Sequence, residues 1–147
     1  PRRSLNTLNA ETVRERKAIG RTALVADIRA HATDRSTPTG FGPEAPLTDI
    51  VVHTRDIAVP LGIELDRDPA HAIPALETAA MRRFALFNRR SSLKGLSFRA
   101  TDIEWSAGTG PVVTGPAHAL AHAMWGRDES LRDLTGSGID QLARALR

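Results

Sequence analysis

The densest interleaving of apolar and polar positions lies between Pro46 and Gly62, PLTDIVVHTRDIAVPLG. At about 100° per residue, Leu47, Ile50, Val51, Ile57, Ala58 and Leu61 gather on one broad face, and Val52 and Val59 fall nearly opposite. A helix apolar on both flanks is expected to be mostly buried. Between the flanks runs a narrow stripe of Asp49, His53 and Asp56 at i, i+4 and i+7. The pattern therefore predicts three polar side chains pointing into the protein from successive turns.

The same periodicity places the other elements. A helix from Ser4 to Ile19 carries the sparse stripe Leu5, Leu8 and Val13 and is interrupted by Gly20, and a second from about Arg21 to Ala32 is expected to bury Leu24, Val25 and Ile28. Thr33 to Pro46 reads as loop from its Ser, Thr, Pro and Gly content. Pro60, Gly62 and the run Leu65 to Pro69 end the central helix. The next begins at Asp68-Pro69 or at Pro74, with Ile73, Leu76, Ala80, Phe84 and Phe87 as its stripe, out to about Phe87.

After Asn88 the period shortens to two. Leu96, Phe98 and Ala100 alternate in one frame and Ile103 and Trp105 in the other, predicting one long strand with a bulge or kink near Thr101-Asp102. A Gly-rich turn, Ser106 to Pro111, leads to a second strand, Val112 to Thr114. Gly115-Pro116 opens a helix to about Trp125, with Leu120, Ala121, Met124 and Trp125 inward. Leu131 to Gly138 is loop, and Ile139 to Leu146 forms a final helix. The predicted fold class is α+β, with a helical part over residues 1–90 and a small β-hairpin and helix module over 91–147 packed against it.

Composition excludes several function classes. The 147 residues, 41% hydrophobic and 25% charged, suit one globular domain or a domain and a half. With no cysteine there is neither a disulfide framework nor a thiol nucleophile, so thiol chemistry needs a borrowed thiol. No apolar run approaches the roughly 20 residues of a membrane span, and Pro1 is not followed by a signal-peptide pattern. The expected location is the cytoplasm, away from membranes. A net charge of +3 raises the question of nucleic acid. The arginines, however, are spread among acids, and the densest group, Arg82, Arg83, Arg89, Arg90 and Lys94, surrounds one helix end. The 4% of aromatics are not interleaved with them as stacking platforms, so the reading is a solvated basic face and no nucleic-acid partner.

The candidate chemistry is the stripe of the central helix. A polar group buried without a partner costs roughly 2–7 kcal/mol. Asp49 and His53, one turn apart, can offer an oxygen and a nitrogen to one divalent cation. Asp49 can equally orient His53, or both can bond to a neighbouring helix, and the spacing leaves these readings open. His118 and His122 are also i, i+4, but lie away from Leu120 and Met124 with no helpful acid on their own helix, and read as solvated. Asp102 and Glu104 read as turn and surface residues.

Three groups of residues together resemble one family: His53, Asp56, Ile57 with Pro60 to Gly62; Arg99 to Asp102 with Trp105; and Gly115 to Ala117 with Gly126 and Arg127. They are similar to the mycothiol-dependent maleylpyruvate isomerase family, a branch of the DinB-like helical bundle proteins, over most of the chain. Family members bind a divalent metal, usually zinc, through a histidine on an early bundle helix and a Glu/Asp/His-x3-His pair on a later one. Asp49 and His53 match the later pair. The resemblance implies that they are metal ligands and that Asp56 is the outer residue holding His53 in one tautomer.

The implied activity is an isomerase or thiol transferase of maleylpyruvate isomerase type, acting on a small-molecule substrate with mycothiol as thiol cosubstrate. A metal-bound thiol is deprotonated at neutral pH. In an isomerisation the thiolate would add to a conjugated double bond, permit rotation and leave. The alternative is a non-catalytic DinB-like binding or structural protein with a degenerate metal site. Members of the family usually carry about another helix and a half before the segment that opens here, with the first metal histidine on it. No residue of this chain matches that histidine, so the expectation is a truncated piece or a natural short form. Its two-ligand site should bind metal weakly. Apolar faces left uncovered by an incomplete bundle predict a homodimer or a missing partner segment.

Overall fold

A computed structural model describes residues 5–35, 37, 42–81 and 93–147. The chain forms two compact units, residues 1–36 and 37–147. In the first, α1 (Leu5–Ile19) and α2 (Arg21–Ala30) meet at Gly20, whose φ of 88° breaks the helical path where a side chain would be strained. Arg16 Nη1 bonds Asp27 Oδ2 at 2.6 Å across the pair. The expectation that α2 buries Leu24, Val25 and Ile28 is not met, since no α2 residue is buried and Ile28 is 71% exposed.

The second unit opens with α3 (Glu44–Leu61). It stops at Gly62, left-handed at φ 63°, where Ile63 N–H returns to the Ala58 carbonyl at 3.0 Å and closes the helix end. A 3-10 turn, Pro69–Ala72, is capped by Asp68 Oδ1 on Ala70 N–H at 2.9 Å and runs into α4 (Ile73–Ala80). The expected stripe positions Phe84 and Phe87, the cluster Arg82, Arg83, Arg89 and Arg90, and the boundary near residue 90 lie outside the described residues.

The sheet differs from the expected hairpin. Three strands, β1 (Ser97–Ala100), β2 (Ser106–Gly108) and β3 (Val112–Gly115), lie in the order β2-β1-β3. β1 is antiparallel to β2, with Phe98 opposite Ala107, and parallel to β3, with Phe98 opposite Val113. The single long strand expected to reach Trp105 stops at Ala100, and a turn closes where Ala100 N–H bonds the Trp105 carbonyl at 3.0 Å. Residues 106–108, expected as turn, form β2. The glycines explain the difference: at Gly108 (φ 83°) and Gly110 (φ 123°) a Cβ would collide with the Leu96 and Gly95 carbonyls. Only bare backbone can lie this close to β1 before reversing to the other edge.

Beyond Pro116, α5 (Ala117–Met124) starts with its Ala117 N–H held by Asp102 Oδ1 at 2.8 Å, so the turn residue Asp102 caps a helix from another element. A 3-10 segment, Asp128–Asp133, and α6 (Ile139–Leu146) complete the unit. Leu76, Leu96, Val113, Leu120, Met124 and Leu142 form the fully buried centre, each burial contributing about 1.5–3 kcal/mol. Two indoles tie α4 to the rest: Trp125 Nε1–H donates to the Ala75 carbonyl at 2.9 Å and Trp105 Nε1–H to Glu77 Oε1 at 2.7 Å. Among the described residues no helix is long and apolar enough to cross a membrane.

The buried face of α3 also differs from the wheel. Thr48, Val51, Val52 and Ala58 face the core, while Leu47, Ile50, Ile57 and Leu61 are 47%, 60%, 61% and 67% exposed. The helix is rotated because two polar residues on its inner side find partners. Thr48 Oγ1 reaches Thr78 Oγ1 at 3.5 Å, and Arg55 is bonded at both ends of its guanidinium, to Ser130 and Asp133.

Candidate functional site

Asp56, in the second half of α3, is the centre of the most connected polar cluster among the described residues. Its Oδ1 accepts from His122 Nε2 at 2.8 Å and Arg127 Nε at 3.1 Å, and its Oδ2 from His53 Nδ1 at 2.8 Å and Arg127 Nη2 at 2.9 Å. Both oxygens are thereby filled, and the guanidinium approaches as a two-pronged fork. Arg127 also donates from Nη1 to the Trp125 carbonyl at 2.7 Å, which fixes the fork just beyond α5. Arg127, assisted by His122 and His53, holds the Asp56 carboxyl well below the usual carboxylate range despite partial burial.

His122 is where the sequence reading fails. It is 2% exposed rather than solvated, because α5 packs on α3 and the acid it needs comes from that other helix. With Nε2–H donating to Asp56, Nδ1 accepts from Ser130 Oγ–H at 2.8 Å, and Ser130 Oγ in turn accepts from Arg55 Nε–H at 3.0 Å. Burial pushes the His122 pKa down, with Asp56 opposing, so the ring is neutral and the chain of donors is consistent. Arg55 Nη2 closes the network on Asp133 Oδ2.

An Asp-His-Ser run invites comparison with a nucleophilic triad, but the chemistry is absent. Ser130 is fully buried, its proton is given to His122 and its oxygen receives Arg55. No substrate carbonyl can reach it, and the three residues cross-link α3, α5 and the segment 128–133.

Asp49 and His53 converge, with His53 Nε2 at 3.2 Å from Asp49 Oδ1. Their expected inward orientation is corrected: their side chains are 72% and 56% exposed. They sit side by side outside the rotated buried face of α3, open to water. Two donors bound to one zinc at about 2.0–2.2 Å lie roughly 3.3 Å apart in a tetrahedral arrangement, so the pair fits a shared ion as well as a direct contact. Asp56 on Nδ1 leaves Nε2 as the lone-pair nitrogen beside Asp49. Among the described residues no group of three His, Cys, Asp or Glu side chains is assembled to hold a metal ion.

Arg55, His122, Arg127, Ser130 and Asp133 escaped the sequence reading as a cluster because 66 to 78 positions separate the bonded partners across the helices. The one available signal was Gly126-Arg127, which belongs to the resemblance but carries no role in it. Fold and site together define an α+β chain whose helices meet on a fully bonded carboxylate. No family model, no curated protein and no solved structure matches the chain.

Proposed function

We propose that the chain is a metal-dependent, mycothiol-using isomerase or thiol transferase of maleylpyruvate isomerase type, with α3 as the metal-bearing helix of a DinB-like bundle. The observation supporting this reading is the convergence of Asp49 and His53 with the second nitrogen of His53 fixed by Asp56. Asp49 Oδ1 and His53 Nε2 would hold a divalent ion, most simply zinc, and water or a second chain would complete its shell. Such an ion, when bound, supplies the positive charge that keeps a cosubstrate thiol deprotonated. Arg127 and His122 keep Asp56 ionised, and Asp56 keeps His53 in the tautomer that presents Nε2. Untagged protein in equilibrium dialysis against zinc is expected to retain more metal than His53→Ala. Equal retention would remove the site.

A second reading has its own observation. Both nitrogens of His53 already lie beside carboxylates, Nδ1 bonded to Asp56 and Nε2 next to Asp49, so the three side chains can be a closed surface cluster of a non-catalytic DinB-like protein. Under it, His53→Ala leaves zinc retention unchanged.

We further propose a homodimer. Leu47, Ile50, Ile57 and Leu61 form an exposed apolar stripe at spacings of three, seven and four residues along α3, the pattern of a helix-pairing seam. Sedimentation velocity is expected to give twice the chain mass, and Ile57→Glu to give a monomer. A monomeric wild type would exclude it.

A further inference from the structure

A cleft of about 540 Å³ opens between the second half of α3, the connection 62–67, the first turn of α5 and the end of the segment 128–133. One wall is apolar, from Val51, Ala58, Val59 and Leu65. The polar lining holds three guanidinium groups, Arg55, Arg67 and Arg132, against two carboxylates, Glu64 and Asp133. These cations are not equivalent. Arg55 is committed to Ser130 and Asp133, and Arg132 lies 3.9 Å from Asp133. Arg67 is half-buried and makes no hydrogen bond or ion pair with any described residue.

A partly desolvated guanidinium facing an open cleft is a planar donor fork without an acceptor. His118 stands beside it on the lining, its Nε2–H donating to the Asp68 carbonyl at 3.3 Å, which leaves Nδ1 as an acceptor. Burial, with Arg67 and Arg55 adding to it, keeps that ring neutral. Asp68 and Asp102 act in the opposite sense and do not reverse it.

We infer that this cleft binds a small amphipathic organic anion, its carboxylate paired with Arg67 and its hydrocarbon part lying along Val51, Ala58, Val59 and Leu65. One free fork suits one carboxylate in two parallel hydrogen bonds. An inorganic phosphate dianion would need further cations, and the other two on the lining, Arg55 and Arg132, both lie beside Asp133. The apolar wall gives nothing to a ligand without hydrocarbon, whereas the cleft volume lies in the range of small-molecule sites. The inference is independent of the metal reading, because it uses neither Asp49 nor His53.

The test is titration of the full chain with octanoate, octanamide and inorganic phosphate, followed by calorimetry and by the amide NMR signals of the lining residues. Octanoate is expected to bind saturably and to shift the signals of Arg67, His118 and Val59, while octanamide and phosphate bind at least tenfold more weakly. Arg67→Ala and Arg67→Gln remove no internal hydrogen bond and so retain the fold. Both are expected to weaken octanoate about tenfold or more, whereas Arg99→Ala, an exposed cation on β1, leaves it unchanged. The inference is overturned by no saturable binding of octanoate, by equal binding of octanamide, by tighter binding of phosphate, or by Arg67 variants that bind octanoate as the wild type does.

Discussion

Asp56→Asn is expected to lower the unfolding free energy by about 3 kcal/mol at neutral pH, the low end of the range for breaking a buried ion pair. Asparagine keeps the shape but removes the charge opposite Arg127, and its amide nitrogen must point a donor at one of three existing donors, His53, His122 or Arg127. His122 cannot turn to water, being 2% exposed. Asp56 and Arg127 retain 31% and 27% of their side-chain exposure, which is why the low end applies. Urea denaturation checks this, and a loss under about 1 kcal/mol would mean that the network behaves as an ordinary surface pair.

The same variant should change the pH dependence. The folded pKa of Asp56 is depressed, so its contribution is fully present above the unfolded value of about 3.9 and is lost as pH falls below it. His122 is depressed as well, and its neutral buried form loses stability as pH falls below about 6.5, where the unfolded chain takes up the proton first. Wild type is therefore expected to weaken in two stages on acidification. Asp56→Asn should lack the lower stage, and an unchanged slope below pH 4 would assign that stage to other carboxylates.

Leu120→Ala is expected to cost about 3 kcal/mol, within the usual 2–5 kcal/mol for truncating a fully buried leucine. Leu120 has no exposed surface and belongs to the one core that α4, α5 and the sheet share. On the same helix face, Ala117 and Ala123, at i−3 and i+3, are buried alanines with no rotamers to swing into the space. The cavity should therefore persist. A loss below 1 kcal/mol in thermal or urea unfolding would indicate that α5 slides to fill it.

Where local pattern and tertiary contact agree, the sequence predicts well. α6 is found at Ile139–Leu146 as expected, and α5 buries Leu120, Ala121, Met124 and Trp125 as its stripe requires. The face of α3 is different in kind. Hydropathy ranks Arg55 and Thr48 as outward residues, yet Ser130, Asp133 and Thr78 satisfy them from distant segments, and the helix turns to meet those partners. His122 was misplaced for the same reason, its acid lying 66 positions away. The sheet order was hidden because Gly108 and Gly110 read as a turn signal, whereas their lack of a Cβ serves close strand approach. The contact between Asp49 and His53 was legible from i, i+4 spacing alone, while its exposure depended on the rotation of α3.

The two indole hydrogen bonds have a spectroscopic consequence. The chain has two tryptophans and no tyrosine, so its near-ultraviolet emission comes almost wholly from Trp105 and Trp125. Both donate to the same eight-residue helix, one to the Glu77 side chain and one to the Ala75 carbonyl. Intrinsic fluorescence of the unlabelled protein is therefore a local gauge of whether α4 is seated, and a red shift that precedes the loss of helical circular dichroism would mark α4 as the first element to lift away.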